Sequence, residues 1–296
     1  MTRKIKFEGI IVANVTPFNQ KGDVELENLR EVIRFLLQRG VHGFFPCGSA
    51  GEGPLMSTEQ RKTVAETVLK EVSGRVPVIV HVGSTNTREA VELAKHADDV
   101  GASAVGAAAP YYLKPDVEGL VEHYRTIAEA VDIPVFVYNI PQNTGFNITP
   151  DVLRKLLEIE NVVGVKDSSG DLIQIREIME TAPKPITFIN GHDRILFAAL
   201  MMGAKAQISG TANVAPELLV GVYEHYKKGE YKEALDLQTK IDFVARTLAG
   251  PPISKIKKAL ELRGVKAGLP KRPLRPLTQE ETSGLEEKLK ALDLFW

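Results

Sequence analysis

Short apolar runs rich in Val, Ile and Phe recur along this chain at intervals of roughly 25 to 30 residues, and each leads into a polar turn and a segment of helical period. The runs are Ile10 to Val15, Gly43 to Cys47, Val76 to Val82, Ala102 to Ala109, Ile133 to Tyr138, Val162 to Lys166, Ile186 to Asn190 and Ala206 to Ser209. The helical segments are Val24 to Arg39, Thr58 to Val72, Arg88 to Val100, Glu118 to Ala130, Pro150 to Glu158, Asp171 to Glu180, Arg194 to Met202 and Pro216 to Lys227. Start signals such as Ser57-Thr58-Glu59-Gln60, Asn86-Thr87-Arg88-Glu89 and Thr149 ahead of Pro150 support them. Strands that are apolar almost throughout belong in a parallel sheet covered on both faces. Eight strand-helix units therefore predict an α/β fold closed as a (β/α)₈ TIM barrel, with an open doubly wound sheet as the competing arrangement. Residues 231–296 contain no strand-like run and read as two or three helices, broken at Gly250-Pro251-Pro252 and across Gly268 to Pro276. The expected organisation is a barrel domain over residues 1–230 and a C-terminal helical extension over 231–296.

Charge and composition narrow the function. The 37 basic and 38 acidic residues nearly cancel, so the chain has no electrostatic footprint for nucleic acid or an anionic membrane. No apolar run approaches the roughly 20 residues of a membrane span, and the N-terminal stretch lacks the apolar core of a signal peptide. The chain reads as a cytoplasmic protein. A single cysteine, Cys47, excludes an intrachain disulfide and a paired-cysteine metal site.

Catalytic groups of such barrels sit just past the C-terminal ends of the strands. The polar residues there are Asn14 and Thr16, the turn Gly48-Ser49-Ala50-Gly51-Glu52, His81 and Ser84, and Pro110-Tyr111-Tyr112. They continue with Tyr138-Asn139 ahead of Gln142-Asn143-Thr144, Lys166-Asp167-Ser168-Ser169, Asn190-Gly191-His192-Asp193 and Ser209-Gly210-Thr211. Lys166 stands out, because it ends the apolar run Val162-Val163-Gly164-Val165, where an ammonium is expensive to bury. One reading pairs it with Asp167 or another carboxylate at the mouth. The other is a Schiff-base lysine, whose depressed pKa leaves more of the amine neutral and nucleophilic toward a carbonyl carbon. Tyr138 ends the preceding strand, and its phenol could move protons as the carbinolamine forms and loses water. The glycine turn matches neither G-x-G-x-x-G nor G-x-x-x-x-G-K-[ST], so it suits a carboxylate held by amides better than a nucleotide. The six histidines form no H-x-H or H-E-x-x-H pair. His81 and His192 end strands and fit acid-base or structural roles better than a metal site.

These residues resemble the dihydrodipicolinate synthase and N-acetylneuraminate lyase superfamily, pyruvate-handling class I aldolases on a (β/α)₈ barrel with a C-terminal helical extension. The resemblance runs from about Gly9 to the region of Pro276. Its marks are Gly48-Ser49-Ala50-Gly51-Glu52 for the family's G-[ST]-T-G-E turn, Pro110-Tyr111-Tyr112 with Lys114-Pro115, and Tyr138-Asn139-Ile140-Pro141 with Thr144-Gly145. Gly164-Val165-Lys166-Asp167 and Ala212-Asn213-Val214-Ala215-Pro216 complete it. The resemblance implies that Lys166 forms an imine with the 2-oxo group of pyruvate and that Tyr138 is the acid-base. It implies that Ser49 bridges Tyr138 to Tyr112 of a neighbouring subunit, that the Ser49 and Ala50 amides bind the substrate carboxylate, and that the Ile208 carbonyl flanks the site. It also implies a homotetramer, a dimer of dimers. The iminium is then the electron sink, and neither metal nor organic cofactor is needed.

Two departures bear on the substrate. Ala50 stands where the family has threonine, which predicts a weaker hold on the carboxylate. Asn143 stands where the synthases that condense pyruvate with aspartate semialdehyde carry the arginine of P-x-R-T-G, and an amide does not replace a bidentate guanidinium. Gln142 and Asn143, with Asn190, Gly191, His192 and Asp193 on the next rim, suit the hydroxyls of a polyhydroxylated acid. Arg194, where sialic acid lyases commonly carry an acidic residue, argues against sialic acid and for an added negative charge. The expected activity is reversible cleavage of a 2-keto-3-deoxy sugar acid, or a related hydroxy 2-oxo acid, to pyruvate and an aldehyde. The alternatives are 4-hydroxy-tetrahydrodipicolinate synthase and, from a different class, a non-catalytic 2-oxo acid binding barrel.

Overall fold

The computed structural model describes residues 6–250 and 252–290. Eight parallel strands run β1 (Gly9–Val12), β2 (Gly43–Phe44), β3 (Ile79–His81), β4 (Ala104–Ala108), β5 (Val135–Asn139), β6 (Val162–Asp167), β7 (Thr187–Asn190) and β8 (Ala206–Ser209). Each pairs with its neighbour in sequence and β1 pairs with β8, while a parallel bridge between Phe44 and Val78 joins β2 to β3 and closes the ring. The chain is thus a TIM barrel, and the open doubly wound sheet is excluded.

Alternation along the strands separates two apolar layers. The outward residues, such as Ile10, Val12, Val105, Val135, Val137 and Val165, pack beneath the surrounding helices. Inward residues form the smaller cluster of Ile11, Ala13, Phe45, Ile79, Ala104, Ala108, Phe136, Tyr138, Ile189, Ala206 and Ile208. Two rings dominate this interior, and small residues make room for them. A Cβ on Gly106 would come within 2.9 Å of the Phe45 ring, and one on Gly164 within 2.9 Å of Phe136. Phe7 meets Phe136 edge to face at 5.1 Å and plugs the N-terminal end, leaving chemistry to the other end.

Several strands are shorter than their apolar runs, because the last residues leave the ladder to build the mouth. Asn14 and Thr16 follow β1 in this way, with Thr16 Oγ1 donating to Gly51 O at 2.9 Å. After β5 the chain forms a single helical turn, Pro141–Thr144, which the sequence reading treats only as a polar rim; Pro141 starts it and Gly145, at φ +68°, ends it. Beyond the barrel come three helices, Tyr231–Leu248, Pro252–Leu262 and Gln279–Lys290. Met1, Pro251 and Trp296, at the ends and the break of the two expected segments, lie outside the described residues. Among the described residues no helix is long and apolar enough to cross a membrane.

Candidate active site

Lys166 and Tyr138 are register partners on β6 and β5. Both point into the barrel mouth, with Lys166 Nζ 3.7 Å from the Tyr138 ring centroid and 4.3 Å from that of Phe45. Lys166 is 4% exposed, and burial lowers its pKa from the ordinary lysine range against the opposing pull of Tyr138 and the charge of Asp193. The pairing with Asp167 does not form. Asp167 faces the opposite side of the sheet, where its carboxylate accepts from Asn139 Nδ2 at 2.8 Å, Gln174 Nε2 at 2.9 Å, Ser169 N at 2.8 Å and Ser169 Oγ at 2.5 Å. That network ties the ends of β5 and β6 together immediately behind Tyr138 and Lys166. The ammonium itself faces aromatic rings and no ion-pairing carboxylate among the described residues.

The glycine turn forms the wall opposite. Cys47 and Glu52 hold left-handed φ of 62° and 59° at its two ends. Gly53 cannot be replaced without rebuilding the turn, since a Cβ there would sit 1.8 Å from Cys47 O. Glu52 N donates to Ser49 O and Gly53 N to Gly48 O, both at 3.1 Å. Among the described residues the amides of Ser49 and Ala50 donate no hydrogen bond within the chain, so two adjacent N–H groups remain available at the mouth. A cavity of about 240 Å³ opens beside them, lined by Ser49, His81, Tyr111, Ile140, Asn143 and Leu274, among others.

His81 closes the floor between Phe45 and Tyr138, 5.6 Å and 5.9 Å away centroid to centroid. Its Nδ1 lies 3.0 Å from Cys47 O and its Nε2 accepts from Ala108 N, which fixes the neutral tautomer. Burial, with the charges of Arg61 and Lys166, holds its pKa well below the usual histidine range. The acid-base reading of His81 therefore gives way to a structural one. His123, buried between helices, is held at about 4. Below about pH 6.5 the unfolded chain takes up protons that these two rings refuse, so their contribution to stability is complete above that pH and lost as pH falls. Unfolding free energy is expected to drop by about 2 kcal/mol between pH 7 and pH 5 on account of His123 alone. Denaturant titration of the wild type and of His123→Gln at both pH values checks this, since the variant should lose that part of the decline.

On the other rim the structure commits several expected substrate ligands to the scaffold. Gln142 Nε2 donates to Ser168 O and Ser169 O at 3.0 and 3.1 Å. Asn190 Nδ2 donates to His192 O and Gln207 Oε1, and Asp193 accepts from Gln207 Nε2 at 2.7 Å and Thr211 N at 3.1 Å. Gly191 leaves no room for a side chain beside Ser168, and its N–H donates to Asp167 O at 2.6 Å. Arg194 turns away to Asp242 at 3.5 Å, so it supplies no extra charge to the mouth. Ile208 lies in the interior layer with Tyr138. Asn143 stays at the cavity wall. Tyr112 is 90% exposed at φ +72°, and among the described residues of the single chain the hydroxyls of Ser49, Tyr138 and Tyr112 make no hydrogen bond to one another.

The Dihydrodipicolinate synthetase family model matches residues 6–292. The chain belongs to this family. It is 41% identical to the 4-hydroxy-tetrahydrodipicolinate synthase of Methanospirillum hungatei, over 97% of this chain and 100% of that one. Among solved structures, YagE, a prophage protein of the dihydrodipicolinic acid synthase family from E. coli K12 in complex with pyruvate, superposes at a TM-score of 0.93. It is 30% identical, over 97% of this chain and 99% of its own. CdNal from Clostridium difficile, in complex with mannosamine, superposes at 0.92 with 31% identity, over 98% and 100%. The chain carries its polar mouth on a barrel of eight parallel strands. Among the described residues no group of three or more His, Cys, Asp or Glu side chains is placed to hold a metal ion.

Two buried cations beside the mouth escaped the sequence reading. Arg61 donates to Gly83 O at 3.0 Å and His81 O at 2.8 Å, bracing the end of β3. Lys257, 2% exposed, contacts Glu52 Oε1 at 2.5 Å. Burial raises the Glu52 carboxyl and lowers the Lys257 ammonium, and their contact opposes both shifts. The one available signal was a lysine beside Ile256 on the apolar face of the helix Pro252–Leu262.

Proposed function

We propose that this chain joins pyruvate to an aldehyde through an imine at Lys166, with the reaction of the 4-hydroxy-tetrahydrodipicolinate synthases as the one its relatives favour. The observation that carries the mechanism is a buried lysine with no carboxylate partner among the described residues, beside a tyrosine at a mouth where two adjacent amides stay free. The neutral amine of Lys166 attacks the 2-oxo carbon, Tyr138 serves the proton transfers, and the carbinolamine loses water to leave the imine. The Ser49 and Ala50 amides hold the pyruvate carboxylate. Loss of a C3 proton gives the enamine, whose C3 then bonds to the aldehyde carbon while the aldehyde oxygen takes up a proton. Tyr112 of a second copy of the chain would complete the hydroxyl relay through Ser49, which fits its 90% exposure in a single chain. A dimer of dimers in the cytoplasm is the assembly this reading expects.

The 41% identity to the Methanospirillum synthase, over 97% of this chain, supports aspartate semialdehyde as the aldehyde. Asn143 at the cavity wall supports the second reading, cleavage of a 2-keto-3-deoxy sugar acid. A cation is nonetheless near this turn, because Lys114 Nζ lies 3.0 Å from where a Cβ on Gly145 would be, and it makes no ion pair among the described residues. Its ammonium could take the carboxylate that an arginine grips in the synthases. A coupled assay with pyruvate and aspartate semialdehyde decides. Turnover supports the synthase, and its absence alongside cleavage of a 2-keto-3-deoxy sugar acid replaces it with the second reading.

Ala50→Thr is expected to restore a hydroxyl to the cradle. With about 1 kcal/mol for the added hydrogen bond, the pyruvate concentration at half-saturation should fall about fivefold. An unchanged value would remove position 50 from carboxylate binding.

A further inference from the structure

The carboxylate cradle is held from behind by the C-terminal helices. Lys257, on the helix Pro252–Leu262, uses its ammonium for three partners: Glu52 Oε1 at 2.5 Å, Thr16 O at 2.7 Å and Leu269 O at 2.7 Å. Glu52 answers with its other oxygen, which accepts from Lys271 N at 2.6 Å. Thr16 in turn donates to Gly51 O at 2.9 Å, so the loop after β1, the glycine turn and the segment after Gly268 meet at one buried ammonium. The same helix also comes close to Gly210, the residue after β8, where Ile256 Cδ1 and Ala50 Cβ each lie 3.9 Å from the Cβ position.

This pair is poorly explained as stabilisation, since burying two charges costs roughly what their attraction returns. What it does fix is the backbone of residues 49–52. Glu52 sits in a left-handed conformation with its N–H on Ser49 O, so a shift of its side chain moves the adjacent amides directly. We propose that Lys257 is a positioning residue for the substrate carboxylate, aiming the Ser49 and Ala50 amides through the buried Lys257–Glu52 pair. The proposal rests on the reading of those amides as the pyruvate cradle.

The test is borohydride trapping of the full-length protein over a range of pyruvate concentrations, with the Lys166 adduct quantified by intact mass, beside steady-state kinetics. Two variants are used, Lys257→Met and the double substitution Glu52→Gln with Lys257→Met, which leaves no unpaired buried charge. For both, half-saturation by pyruvate should rise about tenfold, and kcat should fall by much less than KM rises. Ile127→Ala, which opens a cavity under the last turn of the helix Val117–Ala128, at the barrel end opposite the mouth, serves as the stability control and should lower the melting temperature with pyruvate half-saturation unchanged. A double variant that melts lower but keeps the wild-type half-saturation would overturn the positioning role and leave the imine mechanism intact. Absence of any adduct on the wild type would instead overturn the imine reading and the positioning role together, so the two failures are told apart by the wild-type reaction.

Discussion

Lys166→Met should abolish the reduced pyruvyl adduct and lower turnover by more than about 10³-fold, while the protein melts at a higher temperature than the wild type. The first part follows from the chemistry: without the amine there is no imine, no iminium to take up the electron pair from C3, and no second group in the mouth to replace it. The second part follows from the position of the ammonium. Lys166 is 4% exposed between the rings of Phe45 and Tyr138, and burial lowers its pKa. A lysine whose folded pKa lies below its unfolded value destabilises the fold wherever it is protonated, and the penalty is relieved only as pH rises through the folded pKa toward the unfolded one. At pH 7, well below the unfolded lysine value, the methionine removes that penalty and keeps nearly the same length, so a gain of about 1.6 °C is expected for each kcal/mol recovered in a chain of 296 residues. Differential scanning calorimetry at pH 7 and pH 10 checks the sign, since the advantage of the variant should shrink at the higher pH. A variant less stable than the wild type at both pH values would mean that the lysine is a structural element and not a strained nucleophile.

Tyr138→Phe should slow turnover by about 10²- to 10⁴-fold, the range for removing a positioned acid-base group, with little change in stability. The substitution deletes one hydroxyl and leaves the ring, whose edge contacts with Phe45 at 5.8 Å and His81 at 5.9 Å hold it in place. The two variants therefore differ in kind. Lys166→Met gives no adduct at any time, whereas Tyr138→Phe should form the full Lys166 adduct slowly. Trapping at timed intervals distinguishes them. Wild-type trapping rates in Tyr138→Phe would transfer the proton chemistry to another group.

Lys166, Tyr138 and the glycine turn were legible without coordinates because each breaks the pattern around it. A lysine ending an apolar strand, a tyrosine ending the strand before it, and a glycine cluster after a third strand are local irregularities in a regular repeat, and the repeat itself dictates that all three strand ends share one mouth. Local position says less where side chains choose among partners. Gln142, Asn190 and Asp193 are polar and follow strands, and in the single chain their amides and carboxylate are engaged with Ser168, Gln207 and Thr211. Arg194, which in the sequence points to a substrate with an added negative charge, pairs with Asp242 on the helix Tyr231–Leu248. Sequence position limits which atoms a side chain can reach; it does not rank them.

The sequence by itself determined the barrel, through eight apolar runs at helix-spaced intervals, and singled out Lys166 as the candidate nucleophile, through a charge where the period demands an apolar residue. Only the tertiary structure decided which carboxylate Lys166 lacks, which amides stay free, and which distant groups hold them. Periodicity is a property of neighbours a few residues apart, whereas the contact of Lys257 with Glu52 and Thr16 joins three segments whose separation in the chain carries no trace of their meeting.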